Sequence, residues 1–371
     1  MFKKSILILF STFFILSCGS DDSSPDTSSD GFDRALILTN WADNIIIPVY
    51  EDLNTKLEEL VNQKDLFNAN PNPTQLQNLR TAWKDAYLVW QHAEMFNVGM
   101  AESINYVFQM NVYPTNVQDI QANILSRDYD LSSVNNNDAV GFPAVDYMLY
   151  GLADTDAEIL NWYTTSAEAE AYKMYLSDLT TRMKSLTQTV LDDWKNGYRD
   201  NFVESTDNTA TGAINIMAND FIFYYEKGFR ANKFGIPAGN FSPNPLPDRV
   251  EAYYKEDFSK TLALEALLAI EHFFNGIAYN TRIDSDSFDD YLEYVNTISS
   301  GEDLNVLIND QFEESRSKIN MLNDSFVQQI EDNNVAMTEA FDAIQMGVVL
   351  LKVDMLQALD ISVDFVDADG D

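Results

Sequence analysis

The sequence predicts an all-α fold built as two helical bundles. Apolar residues recur at every third or fourth position through several long stretches. Gly and Pro are scarce, at 14 and 10 of 371 residues, which suits helices better than loop-rich β architectures. No run alternates apolar with polar residues as a half-buried strand does. Residues 32–371 are long enough for two domains or one large one. The expected division is an N-terminal bundle over 32–200 and a C-terminal bundle over 201–371.

A leader comes first. Lys3 and Lys4 precede an apolar run from Ile6 to Leu16, broken by Ser11 and Thr12 and shorter than the roughly 20 residues a membrane span requires. Leu16-Ser17-Cys18-Gly19 then has the form of a lipobox, in which residues 1–17 are removed and Cys18 is acylated. Three acyl chains anchor far more firmly than one. Cys18 is the chain's single cysteine, so stability must come from packing rather than disulfides. Ser20–Asp30 (SDDSSPDTSSD) is an acidic, low-complexity stretch that cannot bury apolar area. With Cys18 and Gly19 it makes an expected tether, 18–31, that holds the folded part off the membrane. Removal of 1–17, which carries Lys3 and Lys4 and no acid, takes the formal charge from −36 to −38. So acidic a chain is not expected to bind nucleic acid or anionic lipid through its general field. Cations, metal ions and basic partner surfaces are what that field favours.

The helices follow in order. Leu76, Leu79, Trp83, Tyr87 and Trp90 form one stripe, and Tyr172, Leu176, Leu179, Met183, Leu186, Val190 and Trp194 form a second. Met337, Phe341, Ile344, Val348, Leu351, Met355 and Leu359 form a last. Thr261–Phe274 is apolar nearly all round, the pattern of a helix packed on several sides. Between these, Asn68–Thr74 (NANPNPT) ends one helix and begins another, with Thr74 as the expected N-cap. Asn135–Asp138 precedes the apolar segment 139–150, which Gly151 stops. Gly235–Gly239 and Ser242–Pro247 read as one long irregular loop, and such loops inside a domain are usually functional. The polar stretch Asn201–Thr211 is the expected seam between the bundles.

Buried carboxylates carry the functional signal. Glu94 continues the stripe from Leu76 to Trp90. Asp146 lies in Ala-Val-Asp-Tyr-Met-Leu, apolar on both sides, while Glu265 and Glu271 interrupt the apolar helix 261–274. A lone buried carboxylate is costly, so each requires a cation, a donor or a proton. Arg80, Arg230 or Arg282 would satisfy them singly as salt bridges; convergence of the acids would instead make a ligand site. The two histidines are weaker candidates. His92 is two positions from Glu94, about 200° around a helix, and His272 adjoins Glu271. Two ligands from one helix need a spacing of three or four. The chain has no Gly-x-Ser-x-Gly, no Walker-type loop, no His-Glu-x-x-His and no cysteine nucleophile. Asp367–Asp371 (DADGD) has the form of half a calcium loop without the later ligands.

Several of these pieces, in this order, resemble the imelysin-like proteins. They are Arg80-x-x-Trp83-x-x-x-Tyr87, Glu94-x-Phe96-x-x-Gly99, Gly141–Gly151 (GFPAVDYMLYG) and the ending Val363–Asp371. Lys233–Gly239 (KFGIPAG), Pro245-Leu-Pro and the helix ending Phe273-Phe-Asn-Gly276 are similar to the Bacteroidetes lipoprotein branch. The acidic run after Cys18 likewise resembles that of many surface-exposed lipoproteins of that group. The resemblance implies a two-bundle helical fold and a place among exported proteins classed as imelysin peptidases and linked to iron or haem uptake. It also implies a functional motif, Gly-x-His-x-x-Glu. Gly141 matches its glycine, Asp146 stands for its glutamate, and Pro143 stands where its histidine should be. Proline has no side-chain donor, acceptor or metal ligand, so peptidase chemistry through this motif is not expected. Pro143 is instead suited to starting a short helix. The expected ligand or metal site is Gly141, Pro143, Asp146 and Glu94, supported by Arg80, Tyr87, Glu265 and Glu271. The expected function is a non-catalytic, lipid-anchored component of the cell envelope, an outer-membrane lipoprotein facing either the periplasm or the outside, that binds iron, haem, an envelope partner or another ligand. The alternatives are a metallopeptidase that recruits His92 or His272, and a docking lipoprotein.

Overall fold

In the computed structural model, which describes residues 31–299 and 303–363 (backbone only for 297–299), each apolar stripe lies along a helix. No strand occurs among the described residues. The leader, Cys18, the tether and the Asp367–Asp371 motif lie outside them.

The main helices are α1 (Arg34–Asn40), α2 (Ile47–Ala69), α3 (Pro73–Ala93), α4 (Gly141–Asp146) and α5 (Ala169–Asp193) in the N-terminal half. Then come α6 (Ala213–Phe223), α7 (Ser259–Phe274), α8 (Leu304–Asn320) and α9 (Phe326–Val349). Asn72, not Thr74, caps α3. Its side chain accepts from the backbone N–H groups of Thr74 and Gln75 at 3.0 and 3.1 Å, two of the donors that a helix start leaves unpaired. Pro73 takes the first helical position, where a missing N–H is no loss, and this displaces Thr74 into the first turn.

α2 lies along both α3 and α5, while α9 packs on α8 and on a π-helical segment, Tyr224–Gly235, that continues α6. α7 touches both α3 and α8 and so joins the two sets of helices. Its burial on more than one side follows: Leu262, Ala266, Leu267, Ile270 and Phe273 are fully enclosed. The described residues from Phe32 onward form one compact unit. The Asn201–Thr211 stretch is helical to Glu204 and irregular beyond it.

The expected loop at 235–247 begins later than its Gly and Pro content suggests. Gly235 still belongs to the π segment, Ile236–Ala238 is a helical turn, and irregular chain starts at Gly239. From there to Phe258 the chain is irregular apart from a short turn at Pro247–Arg249, and it crosses the end of α3.

Candidate functional site

One stripe of α3 organises the site. Arg80, Trp83, Tyr87, Gln91 and Glu94 succeed one another at steps of three and four, so they share a helix face. The lower half of that face reads the backbone of the Gly141 segment. Arg80 donates to the Leu149 carbonyl at 2.7 Å through Nη2, and Trp83 Nε1 donates to the Phe142 carbonyl at 3.2 Å. Tyr87 stacks on Phe142 with ring centroids 4.4 Å apart and planes within 4°. Gly141 itself is forced to be glycine. Its φ is +74°, and a Cβ there would run into the Met110 carbonyl oxygen. Gly141, not Pro143, opens α4; Pro143 is its third residue, still within the first turn, where a missing N–H costs no intrahelical bond. Arg80 therefore positions the motif rather than pairing with Glu94 or Asp146; its carboxylate partner is Asp156, at 2.8 Å.

The upper half of the face enters a buried polar network. Asn111 Nδ2 donates to Glu94 Oε1 at 2.8 Å and to Glu251 Oε1 at 2.9 Å, while Tyr87 donates to Asn111 Oδ1 at 2.6 Å. Lys233 Nζ donates to Glu251 Oε2 at 2.5 Å and to Gln91 Oε1 at 2.7 Å, and lies 3.9 Å from Glu94 Oε2. Tyr224 completes the cluster, donating to Glu94 Oε2 at 3.3 Å. All of these groups are buried, and two carboxylates share one ammonium. Burial pushes the Glu94 carboxyl above its ordinary range and Glu251 adds to this, while Lys233 and Asn111 pull it back. Burial, with the nearby acids, also drives the Tyr113 and Tyr224 phenols well above theirs.

Glu94 opens onto a cavity of about 330 Å³. Its walls are largely apolar, from Met95, Val107, Phe108, Val112, Phe223 and Ile236, with Tyr113, Tyr224 and Lys227 among the polar lining groups. The π segment supplies one side. Its wider turn brings Tyr224, Lys227, Asn232 and the following Ile236 to the same cavity, and π-helical turns are frequent at functional sites.

Asp146 lies in a second cavity, of about 270 Å³, that Tyr113 also lines. The two acids expected to share a site are thus in adjacent cavities, with Tyr113 between them. Pro143 lines the Asp146 cavity as well. Asp146 Oδ2 accepts from the Tyr254 backbone N–H at 2.9 Å. Burial pushes its carboxyl up to about 7, with the Tyr254 and Lys255 N–H groups and the Lys255 charge opposing.

Glu265 and Glu271 lie elsewhere. Both are half-buried and satisfied in pairs: Glu265 with His92 Nε2 at 2.6 Å, and Glu271 with Arg316. The His92 hydrogen bond holds Glu265 below its ordinary range, whereas burial raises Glu271 despite Arg316. His272 faces Arg282, at 2.6 Å through Nδ1, and burial together with that charge lowers its pKa to about 4. Sequence reasoning missed Gln91, Asn111, Tyr224 and Glu251. Gln91 was accessible in principle, because it falls on the Tyr87–Glu94 face. Glu251 was not, since the irregular chain that carries it has no period.

The family model for imelysin, of the M75 peptidase class, matches residues 46–350. The chain belongs to the imelysin family. Two solved structures are similar to this imelysin-family chain throughout. One, from Parabacteroides distasonis, has the provisional name iron-regulated protein A precursor. It shares 18% identity at a TM-score of 0.69, over 86% of this chain and 94% of its own. The other is an imelysin-like protein from Psychrobacter arcticum, with 16% identity and a TM-score of 0.65 over 88% of this chain and 96% of its own. At these identities the likeness establishes the helical fold. No curated protein matches the chain.

The family's peptidase class implies a resident metal, and the residues do not fit one. Among the described residues no three His, Cys, Asp or Glu side chains converge as metal ligands. Near Glu94 the Lys233 ammonium occupies the place of the counter-charge. Near Asp146, Pro143 brings no ligand atom.

Proposed function

We propose that this imelysin-family chain is a non-catalytic binding component of the cell envelope, lipid-anchored through Cys18 as a surface-exposed outer-membrane lipoprotein of the Bacteroidetes branch. Its ligand is an iron-bearing small molecule, haem or a comparable chelate, taken into the Glu94 cavity. One observation carries the reading: a largely apolar cavity of about 330 Å³ ends on a buried carboxylate, with the buried Tyr224 phenol and the half-buried Tyr113 phenol beside it. That size and lining are those of small-molecule pockets, mostly apolar with a few convergent polar groups. Tyrosine oxygen is an established ligand for haem iron. Apolar walls suit a macrocycle or chelate better than a hydrated ion. The name of the Parabacteroides structure lends support from outside the chain. Hydrolysis is the weaker reading, because Pro143 holds the position of the motif histidine and among the described residues no ligand trio replaces it.

Visible absorption of the full chain titrated with haem, and separately with ferric citrate, tests this. A saturable one-to-one spectral change with either is expected. Glu94→Gln and Tyr224→Phe should each weaken it at least about tenfold, the scale of a lost hydrogen bond to a charged group. No spectral change with either probe, or unchanged affinity in both variants, would remove the assignment.

A further inference from the structure

The cavity beside Asp146 differs in kind from its neighbour: it is lined by acids and aromatic rings and by no cation. Asp146 and Asp248 line it together with Tyr113, Tyr253, Tyr254 and Gln118, and among the described residues no Lys, Arg or His does. The basic side chains nearby stand outside the cavity lining, although the Lys255 charge is felt at Asp146. Lys255 pairs with Asp257 and stands over the Tyr150 ring, 5.7 Å from its centroid. Arg249 lies 3.7 Å from Asp248 and lines the Glu94 cavity instead. Asp146 is 1% exposed; its Oδ2 accepts from Tyr254 N–H and the Lys255 N–H also favours its anion, while among the described residues no donor meets its Oδ1 at hydrogen-bond geometry. A buried carboxylate oxygen left without a donor is rare and costly, and in a native protein it calls for an explanation.

We propose that this cavity is a binding site for an organic cation, an alkylammonium or alkylguanidinium group that donates to Asp146 Oδ1 and lies against the rings of Tyr253 and Tyr254. Three features select that class. When Asp146 is ionised the missing partner of Oδ1 must be a donor, and a charged donor both holds the group in that form and bonds it about twice as strongly as a neutral one. Aromatic faces attract organic cations, and Tyr253 and Tyr254 stand edge to face with centroids 5.1 Å apart. Pro143, Val117 and Val250 offer an apolar wall to the alkyl stem. A bare divalent ion would want six or more oxygens around it, and among the described residues no three Asp, Glu, His or Cys side chains converge to begin such a shell. The site is separate from the iron-ligand cavity, and the two assignments stand or fall independently.

Calorimetric titration of the full chain with n-butylammonium chloride and with ethylguanidinium chloride tests the proposal, with magnesium and calcium chloride titrated in parallel. Saturable one-site binding of at least one organic cation is expected. Asp146→Asn should weaken it at least about tenfold, and Tyr253→Ala, at a half-exposed position that folding tolerates, about threefold. Should Asp146→Asn fail to fold, Tyr253→Ala and Asp248→Asn decide the matter. Absence of saturable binding overturns the proposal, as does affinity unmoved by the variants that fold. Binding of magnesium or calcium in place of the organic cations overturns it too.

Discussion

Asp146 shows how one residue can hold a proton near neutrality. Burial raises its carboxyl from 3.8 to about 7, because desolvation outweighs the two backbone N–H groups and the Lys255 charge that favour the anion. The folded chain therefore binds a proton more tightly than the unfolded chain across the interval between those values. The stability that the neutral carboxyl contributes is complete below the unfolded value and is lost as the pH rises through about 7. Asp146→Asn removes the titration while keeping an acceptor for Tyr254 N–H. Its stability relative to the wild type, measured by urea unfolding, should improve from about pH 5 to about pH 8 by on the order of 2 kcal/mol. A difference that stays flat across that range would mean that the proton sits elsewhere. The sequence made Asp146 visible, since an acid flanked by Val145, Tyr147 and Met148 has nowhere wet to go. It could not show that the chain from Gly239 to Phe258 returns over it to supply Tyr254.

At the scale of elements, three segments meet in the Glu94 network: the end of α3, the π segment and the irregular chain after Gly239. Lys233 is their common counter-charge. Lys233→Met would leave Glu94 and Glu251 buried without a cation, and removing one partner of a buried pair costs about 3–5 kcal/mol. Adding Glu251→Gln to that variant should restore part of the loss, because one of the two stranded charges goes with it. Urea unfolding of the single and double variants measures both. A single-variant loss under about 1 kcal/mol would show the network to be wetter than its burial indicates. Periodicity made the α3 face and the carboxylate at its end legible, since Tyr87 and Glu94 fall on one stripe. The partners were hidden for a physical reason. Helical patterns encode which face is apolar, but Asn111 and Glu251 lie on irregular chain, where contacts are set by tertiary packing alone. The same reason explains why Glu265 and Glu271 misled. An acid inside an apolar helix reads as buried, yet both sit at the edge of α7, where His92 and Arg316 meet them.

For the whole molecule, charge is the property that no local pattern captures. The formal net charge is −36, from 59 acidic and 23 basic residues. The basic residues are not spread as a neutralising lattice. Several are drawn inward to serve buried acids, with Lys233 beside Glu251 and Lys352 beside Glu226. The surface thus keeps a large excess of carboxylates, whose mutual repulsion is relieved when the chain expands. Added salt shortens the reach of that repulsion, to a Debye length of about 10 Å at 0.1 M, while buried pairs are screened much less. Stability should therefore rise with ionic strength, the reverse of what exposed salt bridges alone would give. We expect the melting temperature of the full chain to climb by several degrees as sodium chloride goes from about 0.02 M to about 0.3 M at neutral pH. Sodium sulfate at matched ionic strength separates screening from surface exclusion, because sulfate also strengthens apolar burial and chloride does so far less. Comparable gains from both salts would trace the effect to the acidic surface. A melting temperature that stayed level or fell in sodium chloride would mean that native ion pairs such as Arg199 with Asp43 outweigh the repulsion.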